Sequence, residues 1–318
     1  MSNKTIAKFA CLVILVTAAN VLNVSCSNAS SSGQQAVRSE EFSSSYQKPV
    51  EVGRIESPEV IESSGLAASQ CQPDVYWTHN DSGDDAFVFA MTSRGKHLGT
   101  WRVTNATNLD WEDMAVAKAG DGTCVLYIGD IGNNKLAKVD MRIYRVKEPT
   151  VSSADRMSTK KSALPTEAAS TLTFRYSDTP HNAETLIVHP VTGDLYVLTK
   201  RVDGPSLVFK ISPQFGSPQT QVAAKVGEVS VPAVPDGFLT GGAVSPDGTK
   251  VILADYFAGY ELDLGAASNF DEIWKSRPVR VDLGERKIGE AVTFTPDGSA
   301  IITTSEKKHA PILQINKK

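Results

Sequence analysis

The sequence predicts an all-β fold for most of its 318 residues. After residue 50, short runs rich in β-branched and aromatic residues alternate with glycine-containing turns. The same part of the sequence has no amphipathic helical stripe of useful length. A sequence motif of two strands joined by a tight turn recurs five times, about 50 to 70 residues apart. These observations indicate one fold assembled from repeated β-sheet units.

Each copy of the motif has the sequence pattern of an antiparallel hairpin. In chain order, the first and second strands are Ser64–Ala68 with Val75–Asp81, Glu112–Val116 with Val125–Asp130, Ala183–Val188 with Asp194–Lys200, Gly241–Ser245 with Lys250–Asp255, and Gly289–Phe294 with Ala300–Glu306. The turns Pro246-Asp247-Gly248 and Pro296-Asp297-Gly298 supply the residue types that hairpin turns require. The first and second strands of each unit should therefore pair directly.

Outer strands complete the predicted units. A third strand follows in every copy and a fourth strand in the first four, whereas the fifth copy has no fourth strand after it. Val50–Ile55 is a spare strand that could fill this place, and such closure leaves only short, protected edges. We predict a single five-bladed β-propeller over residues 50–318, with four-stranded antiparallel blades and the last blade closed by the N-terminal strand. Six blades is the alternative, because a divergent blade escapes recognition.

The first 49 residues are predicted to direct export. Lys4 and Lys8 precede an apolar run that is too short to span a bilayer, so residues 1–25 resemble a signal peptide. Ser25-Cys26 ends a stretch that resembles a bacterial lipobox, although Asn23 stands where an aliphatic residue is preferred. We predict a lipidated Cys26, with ordinary secretion as the alternative, and a Ser- and Gln-rich flexible tether over residues 26–49. The mature protein would be a membrane-anchored lipoprotein, in the outer membrane of a Gram-negative host, or secreted.

The composition and the absence of several catalytic motifs reduce the number of functional classes that fit the sequence. The net charge of −4 and the lack of a basic tail argue against nucleic acid as a partner. The sequence has no Gly-x-Ser-x-Gly elbow, no His-Glu-x-x-His helix and no zinc-spaced cysteines, which disfavours serine and zincin hydrolases. We expect a monomeric globular domain whose only membrane contact is the lipid anchor.

Polar side chains gather at one predicted rim of the propeller. In an antiparallel blade, the start of the innermost strand and the end of the second strand lie at the same rim. The strand starts contribute four carboxylates: Glu112, Asp113, Glu184 and Glu290. The strand ends contribute seven candidate ligand-binding residues: His79, Asn80, Asp81, Asp130, Lys200, Asp255 and Glu306. The sequence therefore predicts an acidic face around the propeller axis.

The four strand-start carboxylates have two possible roles. Oxygen ligands converging from several strands suit Ca²⁺, which takes six to eight oxygens. Alternatively, the carboxylates accept hydrogen bonds from backbone N–H groups of the neighbouring blade. The sequence leaves both interpretations open. His79 is a candidate general base beside Asp81, and its alternative role is structural.

The phrases "SSGLAAS", "HNDSGD", "DWEDMAV", "YIGDIGNN" and "GEAVTFTPDG" together resemble a family of exported bacterial β-propeller proteins. This family is loosely similar to β-propeller phytases and to esterase-like propellers. The resemblance covers residues 50 to 318. It implies that the acidic face binds calcium ions that hold a phosphorylated substrate, with Glu112, Asp113, Glu184 and Glu290 as ligands. Lys200, Arg201 and Lys307 are the obvious cations on that rim.

Two functions are compatible with these residues. The first is a scaffold whose acidic central face, with bound Ca²⁺, recognises an envelope protein, a glycan or a small anionic ligand. The alternative is a metal-assisted hydrolase of phosphoesters or lactones, in which the ion polarises the substrate and lowers the pKa of bound water. No catalytic residue is identifiable from the sequence.

Two cysteines remain after the predicted signal peptide and lipidation site. Cys71 and Cys124 each precede the second strand of neighbouring blades, at the rim opposite the acidic face. Export would permit their oxidation. We predict a Cys71–Cys124 disulfide, and the alternative is two separate buried thiols.

Overall fold

A computed structural model describes residues 42–318. The predicted signal peptide, the lipidation site Cys26 and most of the predicted tether lie outside the described residues. Within the described range, no helix is long and apolar enough to cross a membrane.

The described part of the chain forms 21 β-strands and three short 3-10 helices. The first eight strands are β1 (Val50–Arg54), β2 (Ser63–Ala68), β3 (Tyr76–Asn80), β4 (Phe87–Met91), β5 (His97–Thr104), β6 (Trp111–Lys118), β7 (Cys124–Asp130) and β8 (Met141–Lys147). The next six are β9 (Leu164–Ala168), β10 (Ser170–Tyr176), β11 (Ala183–Val188), β12 (Leu195–Thr199), β13 (Ser206–Ile211) and β14 (Gln221–Val229). The last seven are β15 (Gly241–Val244), β16 (Lys250–Ala254), β17 (Gly259–Asp263), β18 (Val279–Val281), β19 (Gly289–Phe294), β20 (Ala300–Ser305) and β21 (Pro311–Asn316). The 3-10 helices are Ser153–Met157, Lys160–Ser162 and Phe270–Lys275.

The strands form four hydrogen-bonded sheets, and this corrects the predicted organisation. Two sheets have four strands, one has five and one has eight. The prediction of a five-bladed propeller with separate four-stranded antiparallel blades is therefore wrong. The eight-stranded sheet exists because β14 pairs in parallel with β10, joining two hairpin sets. The fifth strand of another sheet is β9, which pairs in parallel with β5 and whose sequence did not predict a strand.

The predicted hairpins are present around a central axis. The first strand of each repeat packs against the first strand of the next, in the order β2, β6, β11, β15 and β19, and β19 returns to β2. These strands surround a narrow cavity of about 40 Å³, which is lined by side chains that include Met114 and Leu186. The fold is accordingly an all-β propeller.

The N-terminal strand β1 joins the last strand of the chain. It pairs antiparallel with β21, with Val50 opposite Gln314 and Arg54 opposite Pro311. The spare strand found in the sequence therefore occupies the expected position. Because β20 and β19 follow β21 in the same sheet, residues from both ends of the described chain share one sheet.

Alternating apolar side chains fill the spaces between neighbouring sheets. Trp77 and Trp111 are fully buried in one such cluster, together with Met114 and Leu126. Burial of large apolar side chains stabilises the fold by roughly 1.5 to 3 kcal/mol for each residue. The predicted disulfide is also present: Cys71 and Cys124 are bonded, with their Cα atoms 6.0 Å apart. It links the β2–β3 turn to the start of β7.

Candidate functional site

Three glutamates begin inner strands at one end of the axis. Glu112, Glu184 and Glu290 lie at or next to the first residues of β6, β11 and β19, and each is only 3 to 4% exposed. They are close enough to act on one another electrostatically. Burial raises the pKa of Glu112 well above its usual range, and the charges of Glu184 and Glu290 raise it further. The three strand starts thus bring their carboxyl groups to one rim.

The tightest carboxylate group joins Glu112 to two aspartates. Carboxylate oxygens of Asp81, Asp110 and Glu112 all lie within 4.8 Å of one another. Asp81 follows β3, and Asp110 precedes β6. Burial raises the pKa of Asp81 to about 6, with a further increase from Asp110. We call Asp81, Asp110, Glu112, Glu184 and Glu290 the mouth, and we call the three residues within 4.8 Å of one another the carboxylate triplet.

A glycine closes one side of the carboxylate triplet. A Cβ atom added at Gly132 would collide with Glu112 Oε1 and would lie 2.6 Å from the Asp110 carboxyl carbon. Only a residue without a side chain allows the backbone of the loop after β7 to pass so close. The "DIGNN" phrase contains this glycine, but nothing local in the sequence indicates its contact with the triplet.

Asp130 supports the carboxylate triplet from β7. Its Oδ1 accepts a hydrogen bond from the Asp110 backbone N–H at 2.9 Å, whereas its Oδ2 is buried without a hydrogen-bond partner among the described residues. The Lys138 ammonium lies 3.5 Å from Asp110 Oδ2 and 3.9 Å from Asp130 Oδ1. Burial raises the pKa of Asp130 although Lys138 lowers it. One lysine is therefore shared between the partly buried Asp110 and the buried Asp130.

Lys200 neutralises the Glu184 side of the mouth. Its ammonium donates to both Glu184 oxygens, at 2.8 and 2.6 Å, and to the Tyr256 hydroxyl at 3.1 Å. The Phe238 ring centroid lies 4.5 Å from the same ammonium, within cation–π distance. Burial raises the pKa of Glu184 to about 7, although Lys200 lowers it. This side of the mouth already contains its cation.

Glu290 lies in the mouth without such a lysine partner among residues 42–318. Its Oε2 atom is buried and lacks a hydrogen-bond partner within the same range. Burial, with the charges of Glu184 and Glu306, raises the pKa of Glu290 to about 9. Without a bound cation, Glu290 is therefore protonated at neutral pH.

Asp113 differs from the other strand-start carboxylates. Its oxygens accept hydrogen bonds from the backbone N–H groups of Met114 at 2.8 Å, Leu186 at 3.0 Å and Gly242 at 3.3 Å. Burial raises the pKa of Asp113 while these hydrogen bonds lower it. Asp113 thus makes the backbone contacts that were the alternative to metal binding.

Three strand-end residues also have partners within the protein. Asn80 Oδ1 accepts from the backbone N–H groups of Ile61 and Glu62. Asp255 accepts from two backbone N–H groups and from the Tyr260 hydroxyl at 2.6 Å. His79 is fully buried, and its Nδ1 donates to the Asn80 carbonyl at 3.0 Å. Burial lowers the pKa of His79 to about 4, so the ring is neutral at neutral pH.

Glu306 is the remaining candidate, and it lies at the edge of the mouth. It is partly exposed, 3.7 Å from the Lys307 ammonium. Burial raises its pKa, and Lys307 lowers it. The structure therefore brings Asp81, Glu112, Glu184 and Glu290 together and adds Asp110. It leaves Asn80, Asp113 and Asp255 bonded to the surrounding backbone.

Comparisons with known proteins give neighbours by structure only. No protein-family model matches the chain, and no curated protein matches it. A gluconolactonase from Xanthomonas campestris is similar with a TM-score of 0.46 and 11% identity, covering 85% of this chain and 89% of that chain. A chain of a nidogen/laminin complex is similar with a TM-score of 0.42 and 14% identity, covering 78% of this chain and 73% of that chain. Likenesses of this degree assign neither an activity nor a ligand to this protein.

Proposed function

We propose that this protein is a calcium-dependent binding scaffold whose mouth holds Ca²⁺ and whose surrounding loops recognise a partner. The carboxylate triplet carries the proposal, because three oxygens from Asp81, Asp110 and Glu112 converge within 4.8 Å. Like charges at this distance need a cation or protons. The described structure places the Lys138 ammonium near the triplet. It lies 3.5 Å from Asp110 Oδ2, and it is shared with Asp130.

The donor set suits calcium. Ca²⁺ accepts six to eight oxygens in flexible geometry, including water and backbone carbonyls. The triplet supplies three carboxylates, and its charge of −3 when ionised favours a divalent ion. Asp130 Oδ2 and Glu290 Oε2 provide further buried oxygens without partners in the described structure. A bound ion would lower the pKa values of Asp81, Glu112 and Glu290, which burial raises.

Exposed apolar side chains support a binding role for the surrounding rim. Seven of these residues lie in loops that the strand connections place at the same end of the propeller as the mouth. We call them the apolar fringe: Ile61, Leu109, Leu136, Val139, Val202, Val234 and Phe257. Val234 is 100% exposed and Phe257 is 75% exposed. Large exposed apolar side chains gathered around a polar centre are typical of protein-binding faces. The apolar fringe therefore favours an envelope protein over a glycan or a small anion.

Calcium titration of the protein, stripped with EDTA and then dialysed, tests the metal site. We expect saturable calorimetric binding that falls at least about tenfold in Glu112→Gln and in Asp81→Asn, because each change removes a charged ligand. Asp121→Asn is the matched control, because Asp121 is exposed in the β6–β7 turn at the opposite rim. Absence of calcium binding by the wild-type protein would overturn the proposal, and so would equal affinity in all variants.

A metal-assisted hydrolase is the second candidate, favoured by one observation. Glu290, whose pKa burial raises to about 9 in the metal-free protein, is a candidate proton donor to a leaving group when it does not itself bind the ion. A bound ion would lower the pKa of a coordinated water molecule. Purified protein should be assayed on phosphoesters, esters and lactones with and without Ca²⁺. Calcium-dependent turnover that disappears in Glu290→Gln would establish hydrolysis with Glu290 as the proton donor. Calcium binding without turnover would leave the scaffold function.

We also propose that the protein is exported and held at a membrane by an acylated Cys26. The support is the pattern of Lys4, Lys8, an apolar run and Ser25-Cys26. Wild-type protein is expected in the membrane fraction and Cys26→Ala in the soluble fraction. Retention of Cys26→Ala in the membrane fraction would contradict the anchor.

A further inference from the structure

A second concave site lies beside the mouth. A cleft of about 980 Å³ opens between the β16–β17 loop, the β18–β19 loop, the β20–β21 loop and the segment leading into β1. Its lining includes Phe257 of the apolar fringe and Glu306 at the edge of the mouth. The cleft is therefore continuous with the rim that carries the proposed binding face.

The charge of this cleft is opposite to that of the mouth and of the whole chain. Six cationic residues line it: Lys48, Arg54, Arg286, Lys287, Lys307 and Lys308. Three acidic residues line it: Asp282, Glu285 and Glu306. The chain as a whole has a net charge of −4. Concentration of cations in one concavity of an acidic protein attracts anions. We call this site the basic cleft.

Arg286 is the unusual residue of the basic cleft. It is 7% exposed, and it donates from Nη1 to the Thr303 hydroxyl at 3.2 Å and from Nη2 to the Asp255 carbonyl at 3.1 Å. Within the described residues, its Nε has no hydrogen-bond partner and no carboxylate forms an ion pair with it. Burial lowers the pKa of Arg286 to about 10, so it stays charged at neutral pH. A buried cation without a counterion is destabilising unless an anion compensates it.

Asp255 and Asp282, the carboxylates that act electrostatically on Arg286, accept hydrogen bonds from other groups. Asp255 accepts hydrogen bonds from Phe257, Ala258 and Tyr260. Asp282 Oδ1 accepts from the Gly284 backbone N–H at 2.9 Å. Neither carboxylate forms an ion pair with the guanidinium, although the charges of both raise its pKa against the larger, opposite effect of burial.

Several lysines of the cleft also lack acidic partners. Lys48, Lys287 and Lys308 form no ion pair among residues 42–318, whereas Arg54 pairs with Glu51 at 2.8 Å and Lys307 lies 3.7 Å from Glu306. Three ammonium groups are thus available to neutralise a ligand, and the largely buried Arg286 guanidinium adds a fourth positive charge beside them. Guanidinium groups bind carboxylate, sulfate and phosphate oxygens through charge-assisted hydrogen bonds.

We propose that the basic cleft is an oxyanion-binding site, with Arg286 at its floor and Lys48, Lys287 and Lys308 on its walls. The ligand class is a multiply charged oxyanion or a larger molecule that carries carboxylate, sulfate or phosphate groups. This site goes beyond the proposed calcium function and does not require a metal.

Sulfate titration by calorimetry at low ionic strength, in the presence of EDTA, tests the proposal. Low salt is needed because the Debye length is about 10 Å at 0.1 M and exposed lysines are screened beyond it. Saturable binding of one sulfate per chain is expected in the wild type. Arg286→Lys should weaken it at least about tenfold, because the forked guanidinium donors are lost. Parallel titrations with succinate and inorganic phosphate identify the preferred oxyanion.

Because Arg286 is buried, weaker binding by Arg286→Lys could also result from misfolding. A double variant of two exposed lysines separates these two causes. Lys287→Ala with Lys308→Ala removes two wall charges and should weaken sulfate binding at least about threefold. Lys118→Ala with Lys161→Ala is the charge-matched control, since both residues are exposed and lie outside the cleft. Unsaturable sulfate binding, or equal affinity in the cleft and control variants, would overturn the proposal. Calcium titration of the same cleft variants should match wild type, which separates failure of this site from failure of the calcium site.

Discussion

At the scale of single residues, Glu290 is a buried carboxyl group that the fold keeps protonated. Its pKa is about 9 in the folded protein and about 4.5 in an ordinary exposed glutamate. Between these values the folded state binds the proton more strongly than the unfolded state does. Stability should therefore fall as pH rises from 4.5 to 9, and Glu290 should oppose folding most at alkaline pH.

Glu290→Gln should accordingly stabilise the metal-free protein at pH 8. One unit of pKa corresponds to about 1.4 kcal/mol, and we expect the melting temperature to rise by at least about 3 °C at pH 8, with little change at pH 5. The measurement is thermal unfolding in EDTA at both pH values. Glu167→Gln is the control, because Glu167 is exposed and pairs with Lys147 at the surface. The same shift at pH 5 and pH 8 would contradict this account of Glu290.

The mouth also shows which residue roles a sequence reveals. Glu112, Glu184 and Glu290 recur at equivalent strand starts, so repetition alone indicated a common rim. The role of Asp113 depends on Leu186 and Gly242, which are 73 and 129 residues away, and no local pattern contains that information. Asp110 lies inside the acidic "NLDWEDMAV" stretch, and the clustering of charge there was the available indication of its role.

At the scale of elements, Asp113 ties three inner strands together. Its side chain lies on β6 and bonds to backbone N–H groups of β6, β11 and β15. Asp113→Asn would place an amide donor against N–H donors, and each buried donor left without an acceptor costs about 1 to 3 kcal/mol. We expect destabilisation by about 3 kcal/mol or more in urea unfolding, with calcium binding retained by the folded protein. A smaller loss of stability than in Glu112→Gln would contradict this structural role.

The disulfide connects two neighbouring hairpins at the rim away from the mouth. It closes a segment with a sequence separation of 53, for which loop-closure entropy contributes up to about 4 kcal/mol. A double Cys71→Ser and Cys124→Ser variant should unfold at lower urea concentration and bind calcium as the wild type does. Thiol titration of the denatured, unreduced protein should find no free thiol at these positions. Two free thiols there would disprove the bond.

Sheet boundaries were less predictable than hairpins. Hairpin strands are close in sequence and have turn residues between them, so their pairing is visible locally. The parallel pairs β10–β14 and β5–β9 join segments far apart in the chain, and β9 has the sequence LPTEA, which lacks strand alternation. The predicted separation into four-stranded units failed at these parallel contacts.

At the scale of the whole molecule, the seam between β1 and its neighbours closes the propeller. Gly53 of β1 lies against the β4–β5 turn, and a Cβ atom there would collide with the backbone of Arg94. Gly53→Ala should therefore displace β1 and lower the melting temperature by about 5 °C or more. Val50→Ala is the control, because Val50 is on the same strand and 55% exposed. Equal melting temperatures for the two variants would show that the seam adapts without cost.

The pairing of β1 with β21 also determines when the propeller can close during synthesis. β1 ends at residue 54 and β21 begins at residue 311, so the seam forms only after nearly the whole described chain has been translated. At about 5 to 20 residues per second, the ribosome needs roughly 10 to 50 s to make the intervening segment. Throughout that interval the nascent β1 has no partner strand, and its free edge is exposed to other chains. A holding chaperone is most useful to this protein between the appearance of its first strand and the release of its last.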